Sequence, residues 1–170
     1  MKKILASLSI ILALGSVCRA DVWPDGSKMA KWFTSKVETL RGQQARRFVL
    51  TDHGVVKDST LLQTQAIQKV IDLAAEQGGG TIVVPEGVYL TSSLFFKSGT
   101  HLYREKGAVL KGSDDVSDYA IVPVHIEGVI QPYIAALVNA YDVDGFSVRG
   151  EGVIDGNGLR YWRDFWTRRK

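Results

Sequence analysis

Gly78-Gly79-Gly80-Thr81-Ile82-Val83-Val84-Pro85-Glu86-Gly87-Val88-Tyr89-Leu90 decides the reading of this chain. Three glycines end a helical pattern, a β-branched strand follows, Pro85-Glu86-Gly87 makes a turn, and a second strand begins. Upstream, Ile67, Val70, Ile71 and Ala74 form one apolar stripe at helical spacing. Gly78 is the expected stop, because glycine accepts the left-handed backbone that terminates helices. Asp58-Ser59-Thr60 offers N-cap candidates, and Thr60 with Gln63 suits a capping box. Phe48-Val49-Leu50 reads as a strand before this helix.

Downstream the hydrophobic period becomes strand-like. Strands are expected at Thr81–Val84, Val88–Thr91, Leu94–Lys97, Thr100–Tyr103, Ala108–Lys111, Ala135–Ala140, Phe146–Arg149 and Val153–Asp155. Turn chemistry separates them at Ser98-Gly99, Lys106-Gly107, Gly112-Ser113-Asp114, Asp144-Gly145 and Gly150-Glu151-Gly152. Such short strands argue for an all-β fold, and their spacing suits a parallel β-helix better than a sandwich of long hairpins. The helix then has a physical task. It covers the apolar core and unpaired strand edges that the end of a β-helix would expose.

The first twenty residues are expected to be a secretory signal peptide. Lys2-Lys3 is basic, Ile4 to Val17 is apolar except for serines, and Cys18-Arg19-Ala20 places small residues before a cut after Ala20. The apolar run is too short to span a membrane. A lipoprotein signal with Cys18 as the lipid-bearing residue is the minor alternative, disfavoured by the bulky Val17. The expected location is secreted, periplasmic or at the cell surface. The chain has 21 basic and 18 acidic residues, a formal charge of +3. Lys2, Lys3 and Arg19 lie in the signal, so the remainder is neutral, which gives no indication of a nucleic-acid or membrane partner. Cys18, the one cysteine, leaves with the signal, so no disulfide is expected. The domain reading is 1–20 signal peptide, 21–47 N-terminal extension with a short helix over Lys28 to Leu40, and 48–170 an incomplete β-helix domain. Trp23-Pro24-Asp25-Gly26 opens the extension as a turn.

Over residues 52–158 the chain resembles the N-terminal part of glycoside hydrolase family 28, the polygalacturonases and rhamnogalacturonan hydrolases of the pectate-lyase-like superfamily. The matching pieces include Asp52-His53-Gly54-Val55, the Gly78–Gly87 block, Leu94-Phe95-Phe96-Lys97-Ser98, Gly112-Ser113-Asp114-Asp115 and Gly150-Glu151-Gly152-Val153-Ile154-Asp155-Gly156-Asn157-Gly158. The resemblance implies a right-handed parallel β-helix (pectin-lyase-like), of which only the first coils are present, with an N-terminal capping helix. It implies an inverting hydrolase of galacturonic-acid-containing polysaccharide, polygalacturonate or rhamnogalacturonan. No cofactor is expected, and the chain, if folded, is expected to be a monomer. In such enzymes a carboxylic acid protonates the leaving oxygen, and a carboxylate roughly 6.5–9.5 Å away activates water.

The family's catalytic signature is Asn-Thr-Asp, an Asp-Asp pair, Gly-His-Gly and Arg-Ile-Lys. No Asn-Thr-Asp, Gly-His-Gly or Arg-Ile-Lys occurs in this sequence. Asp114-Asp115 matches an earlier loop of the family and reads as turn chemistry. No residue is therefore assigned as catalytic, and the chain is expected to be an N-terminal fragment, ending early and inactive alone. Asp142 and Asp144 would lie about 6.6 Å apart on an extended strand, but Asp144-Gly145 is a turn signal. Glu151 and Asp155 bracket a short strand and read as structural. His53, where the family usually has an aromatic, reads as packed. His101 and His125 lack partners at metal-ligand spacing, and Asp114, Asp115 and Asp118 are the only dense acidic group, so no metal site is expected. Tyr161-Trp162-Arg163-Asp164-Phe165-Trp166-Thr167-Arg168-Arg169-Lys170 reads as a loop, either stacking on sugars and binding carboxylates or packing on further coils. The other functional readings are a non-catalytic polysaccharide-binding module and a related lyase or depolymerase.

Overall fold

A computed structural model describes residues 22–31 and 46–169. The expected signal peptide and all but the first residues of the expected Lys28–Leu40 helix lie outside these. The described residues fall into two compact units, divided between Glu38 and Thr39. In the first, Gly26 (φ +83°) donates to the Trp23 carbonyl at 2.8 Å, closing the expected turn. Asp25 accepts from the Ser27 amide and hydroxyl at 2.9 and 2.6 Å, and Val22 bridges Lys28 in antiparallel fashion.

The second unit is built of β-helix coils. Strand β1 (Arg47–Val49) leads into a 3₁₀ turn at Leu50–His53, so Leu50 leaves the strand earlier than the sequence suggests. Helix α1 is Thr64–Glu76. The expected capping box does not form. Asp58 instead accepts from the Thr60 amide and hydroxyl, both at 2.7 Å, in a turn completed before the helix starts. Gln63 spends its amide on Val56, donating to its carbonyl and accepting from its N–H, both at 2.8 Å. The helix does stop at the glycines: Gly78 and Gly79 have φ of +85° and +101°. An added Cβ on Gly79 would lie 2.6 Å from the Gly99 carbonyl oxygen, so close backbone approach also requires glycine there.

The first coil is β2 (Gly80–Val84), β3 (Gly87–Thr91) and β4 (Leu94–Phe95). The second is β5 (Thr100–Arg104), β6 (Ala108–Gly112) and, after an insertion, β9 (Val138–Asn139). A third begins with β10 (Ser147–Gly150) and β11 (Val153–Asp155). Like strands stack in parallel into the sheets β1-β2-β5-β10, β3-β6-β11 and β4-β9. The register aligns Phe48, Ile82, Leu102 and Val148 in one inward column, and Tyr89, Leu110 and Ile154 in another. Ile82, Leu102, Tyr89 and Leu110 are fully buried, whereas Val148 and Ile154, on the last coil, are 42% and 37% exposed. At the other end α1 lays Ile67, Val70, Ile71 and Ala74 on the core. Burying the first three contributes roughly 5–9 kcal/mol before entropy is counted. Gln68 ties the helix to the coil edge, donating to the Phe95 carbonyl and accepting from its amide, both at 2.9 Å.

The insertion holds an element absent from the sequence reading. Strands β7 (Ile121–Ile126) and β8 (Val129–Ile134) form an antiparallel hairpin. Each strand carries a proline, which argues against a strand in sequence. Here Pro123 sits opposite Pro132, a pairing workable only where neither residue must donate to the ladder. The turn residues Glu127 and Gly128 both have positive φ, 51° and 86°, as a tight two-residue hairpin loop requires.

Candidate sugar-binding cleft

The Asp155-Gly156-Asn157-Gly158 turn directs the chain back over the second coil. Asp155 accepts from the Asn157 amide at 2.9 Å, and the Asn157 side chain donates to the Gly112 carbonyl at 3.0 Å. From Gly158 the chain forms a second helix, α2 (Leu159–Arg168), not the expected loop. Beyond Gly158 no Gly or Pro breaks the pattern, and aromatic rings along the segment pack on one another. Tyr161 stacks on Phe165 one turn later, and Phe165 meets Trp166 edge-on. Arg168 lies in the last turn, where a cation suits the helix dipole.

Helix α2 brings together two sequence features that are far apart in the chain. Arg160 reaches Asp115 at 3.4 Å and Asp114 at 3.9 Å. These side chains are half-exposed, so the pairs orient more than they stabilise. Asp115 also caps the following 3₁₀ turn by accepting from the Ser117 amide and hydroxyl, and those bonds hold its carboxyl below the usual range. Tyr133, from the hairpin, and Tyr161 share a hydroxyl–hydroxyl bond at 2.8 Å, which raises the Tyr133 pKa. Between these elements lies a cleft of about 420 Å³, lined among others by Asp115, Tyr133, Tyr161, Phe165, Arg168 and Arg169. The Arg169 guanidinium sits 4.8 Å from the centre of the Phe165 ring. Aromatic faces beside arginines can stack on sugar rings and grip a carboxylate.

The other sequence candidates stay apart. Asp118 bonds the Ser113 hydroxyl. Asp142 (φ 49°) and Asp144 lie in bends, not on a strand; the Asp144 amide donates to the Ser98 hydroxyl and its carbonyl accepts from Gly99. The one-face geometry of an extended strand therefore does not arise. Glu151 is exposed between β10 and β11. His53 stacks at 6.0 Å on Phe48, and His125 sits in β7 opposite Ile130. His101 is buried; its Nδ1 bonds the Ser147 hydroxyl at 2.9 Å. Burial, then the Arg149 charge, hold its pKa below the ordinary histidine value. Among the described residues no group of three or more His, Cys, Asp or Glu is placed to hold a metal ion. Tyr133 was missed in sequence because its hairpin was missed.

No family model matches the chain. An exo-poly-α-D-galacturonosidase of Dickeya chrysanthemi is 39% identical over 119 residues, covering 65% of this chain and 19% of that protein. The exopolygalacturonase structure from Thermotoga maritima superposes with a TM-score of 0.61 at 31% identity, over 65% of this chain and 25% of that one. The family 28 exopolygalacturonase of Yersinia enterocolitica gives 0.58 at 31% identity, over 66% and 21%. The chain thus spans about a fifth to a quarter of the length of these relatives. The stacked parallel coils described above form a right-handed parallel β-helix, and over about two thirds of this chain they match those of exopolygalacturonases, one of them of family 28.

Proposed function

We propose that this chain is part of a secreted pectin-degrading glycoside hydrolase that cleaves galacturonic-acid-containing polysaccharide with inversion. The observation that supports this best is the 39% identity to an exo-poly-α-D-galacturonosidase, together with matching coils in two exopolygalacturonases. We further propose that these 170 residues do not hydrolyse the polymer unaided, because the sequence lacks Asn-Thr-Asp, Gly-His-Gly and Arg-Ile-Lys. The test is release of reducing ends from polygalacturonate and from rhamnogalacturonan by the purified chain. The expected result is none above the blank, and clean hydrolysis would overturn it. Export is tested by N-terminal sequencing of the expressed protein. A start at Asp21 outside the cytoplasm is expected, and an intact Met1 in the cytoplasm refutes it.

The aromatic and arginine-lined cleft beside α2 favours a second reading, a polysaccharide-binding module without catalysis. Retarded migration in polygalacturonate gels without hydrolysis supports that reading. Unretarded migration removes it.

A further inference from the structure

The outer face of the sheet β2-β5-β10 holds a hollow of about 200 Å³, on the opposite side of the strands from the Ile82–Leu102 core column. Register places Arg47, Thr81, His101 and Ser147 side by side across four strands, with Tyr103 and Arg149 paired two residues on. All six line the hollow. None belongs to the cleft beside α2.

His101 is the unusual member. It is only 4% exposed, and its Nε2 is buried with no hydrogen-bond partner. A buried imidazole nitrogen left unpaired costs free energy that native structures usually avoid. Its Nδ1 bonds Ser147 on β10, and Thr81 on β2 is its neighbour across the other strand. When the Ser147 hydroxyl donates to Nδ1, Nε2 carries the proton and is a donor without an acceptor. The charge around it is positive. Arg47 lies over the Tyr103 ring at 5.6 Å and pairs with Glu105 at 3.3 Å. Arg149 makes no ion pair among the described residues.

We propose that this hollow is a second binding site, for the carboxylate of an acidic sugar, with Arg149 and Arg47 supplying charge and His101 Nε2–H the buried donor. An anionic oxygen gives Nε2 its missing acceptor and answers the unpaired guanidinium, and the ring of Tyr103 supplies an apolar wall. The carboxylate preference stands on this geometry; the choice of a uronic acid rests on the pectin reading above.

The test is an NMR titration of the full chain, following the His101 ring signals with those of His53 and His125 as internal references. Sodium galacturonate, sodium acetate and neutral galactose are the three probes. Galacturonate and acetate are expected to shift His101 alone, with galactose silent. Arg149→Gln is expected to weaken galacturonate binding by about tenfold or more, as loss of a charge-assisted contact would. Arg149 is exposed, so this variant keeps the fold; Arg47→Gln, also exposed, is the second variant, with a smaller effect because Glu105 already shares that cation. Equal shifts from galactose, no shift from either carboxylate, or unchanged binding in Arg149→Gln would overturn the site. Acetate binding without galacturonate binding overturns the uronic acid assignment, and leaves the pectin reading to be judged by its own hydrolysis and gel assays.

Discussion

Asn139 joins the first coil to the second, and its removal should be among the costliest polar changes in the chain. The side chain is 5% exposed. Its Nδ2 donates to the Leu94 carbonyl at 3.1 Å and to the Ala136 carbonyl at 2.7 Å, and its Oδ1 accepts from the Ala136 amide at 3.1 Å. Asn139→Ala deletes these three bonds to the backbone together with a longer one from the Tyr141 hydroxyl, and takes a partner from the Leu94 carbonyl and from both Ala136 backbone groups. At about 1 kcal/mol net per bond, the expected loss is about 3 kcal/mol. With a urea dependence of roughly 1–3 kcal/mol per molar, the unfolding midpoint should fall by about 1–3 M. Asn139→Asp preserves shape but places an acceptor against two carbonyl oxygens. At neutral pH it should cost at least as much as the alanine. Burial and those oxygens raise the folded pKa of the new carboxyl above its unfolded value. Relative to wild type, the variant is therefore best tolerated below the unfolded pKa and loses stability as pH rises through the folded one. The assay is urea unfolding followed by far-ultraviolet circular dichroism, with wild type and both variants at pH 4 and pH 7. An alanine variant within about 0.5 kcal/mol of wild type would refute the view that this amide stabilises the coil junction.

Two further outcomes follow from backbone geometry and charge. Gly150 has φ +99°, and an added Cβ would clash with the Arg104 carbonyl oxygen; Gly150→Ala should destabilise by more than about 2 kcal/mol, and an unchanged urea midpoint would contradict this. Burial, then the Arg149 charge, lower the folded pKa of His101, so its contribution is complete above the ordinary histidine pKa of 6.5 and is lost as pH falls toward the lowered folded value. Between pH 7.5 and 5.5 wild type should therefore lose more stability than His101→Gln, and parallel losses in the two proteins would show that His101 does not carry this dependence.

Much of the fold was legible in the chain because its signals are local. Glycines at Gly78 and Gly79 need positive φ, the apolar stripe of α1 repeats at helical spacing, and β-branched runs alternate with turn residues. Three elements were not legible, each for a stated reason. The capping box failed because Gln63 gains more from closing on Val56 inside the fold than from reaching back to a loop residue. The β7–β8 hairpin was hidden by Pro123 and Pro132, whose cost vanishes once they face each other. The Tyr161–Lys170 segment reads as a loop in sequence because the surface that α2 packs on comes from distant residues, the hairpin and the Asp114-Asp115 loop.

The sequence by itself determined the repeat of short strands, the helix that caps them and the absence of the family's catalytic triplets, because backbone preference and motif content are properties of adjacent residues. Only the tertiary structure decided which distant side chains meet. Parallel stacking sets Ser147 beside His101 and Arg149 beside Tyr103, while the turn at Asn157 carries Tyr161 to Tyr133. Those meetings depend on the register between coils and on the path of the insertion, and neither is written in the spacing along one strand.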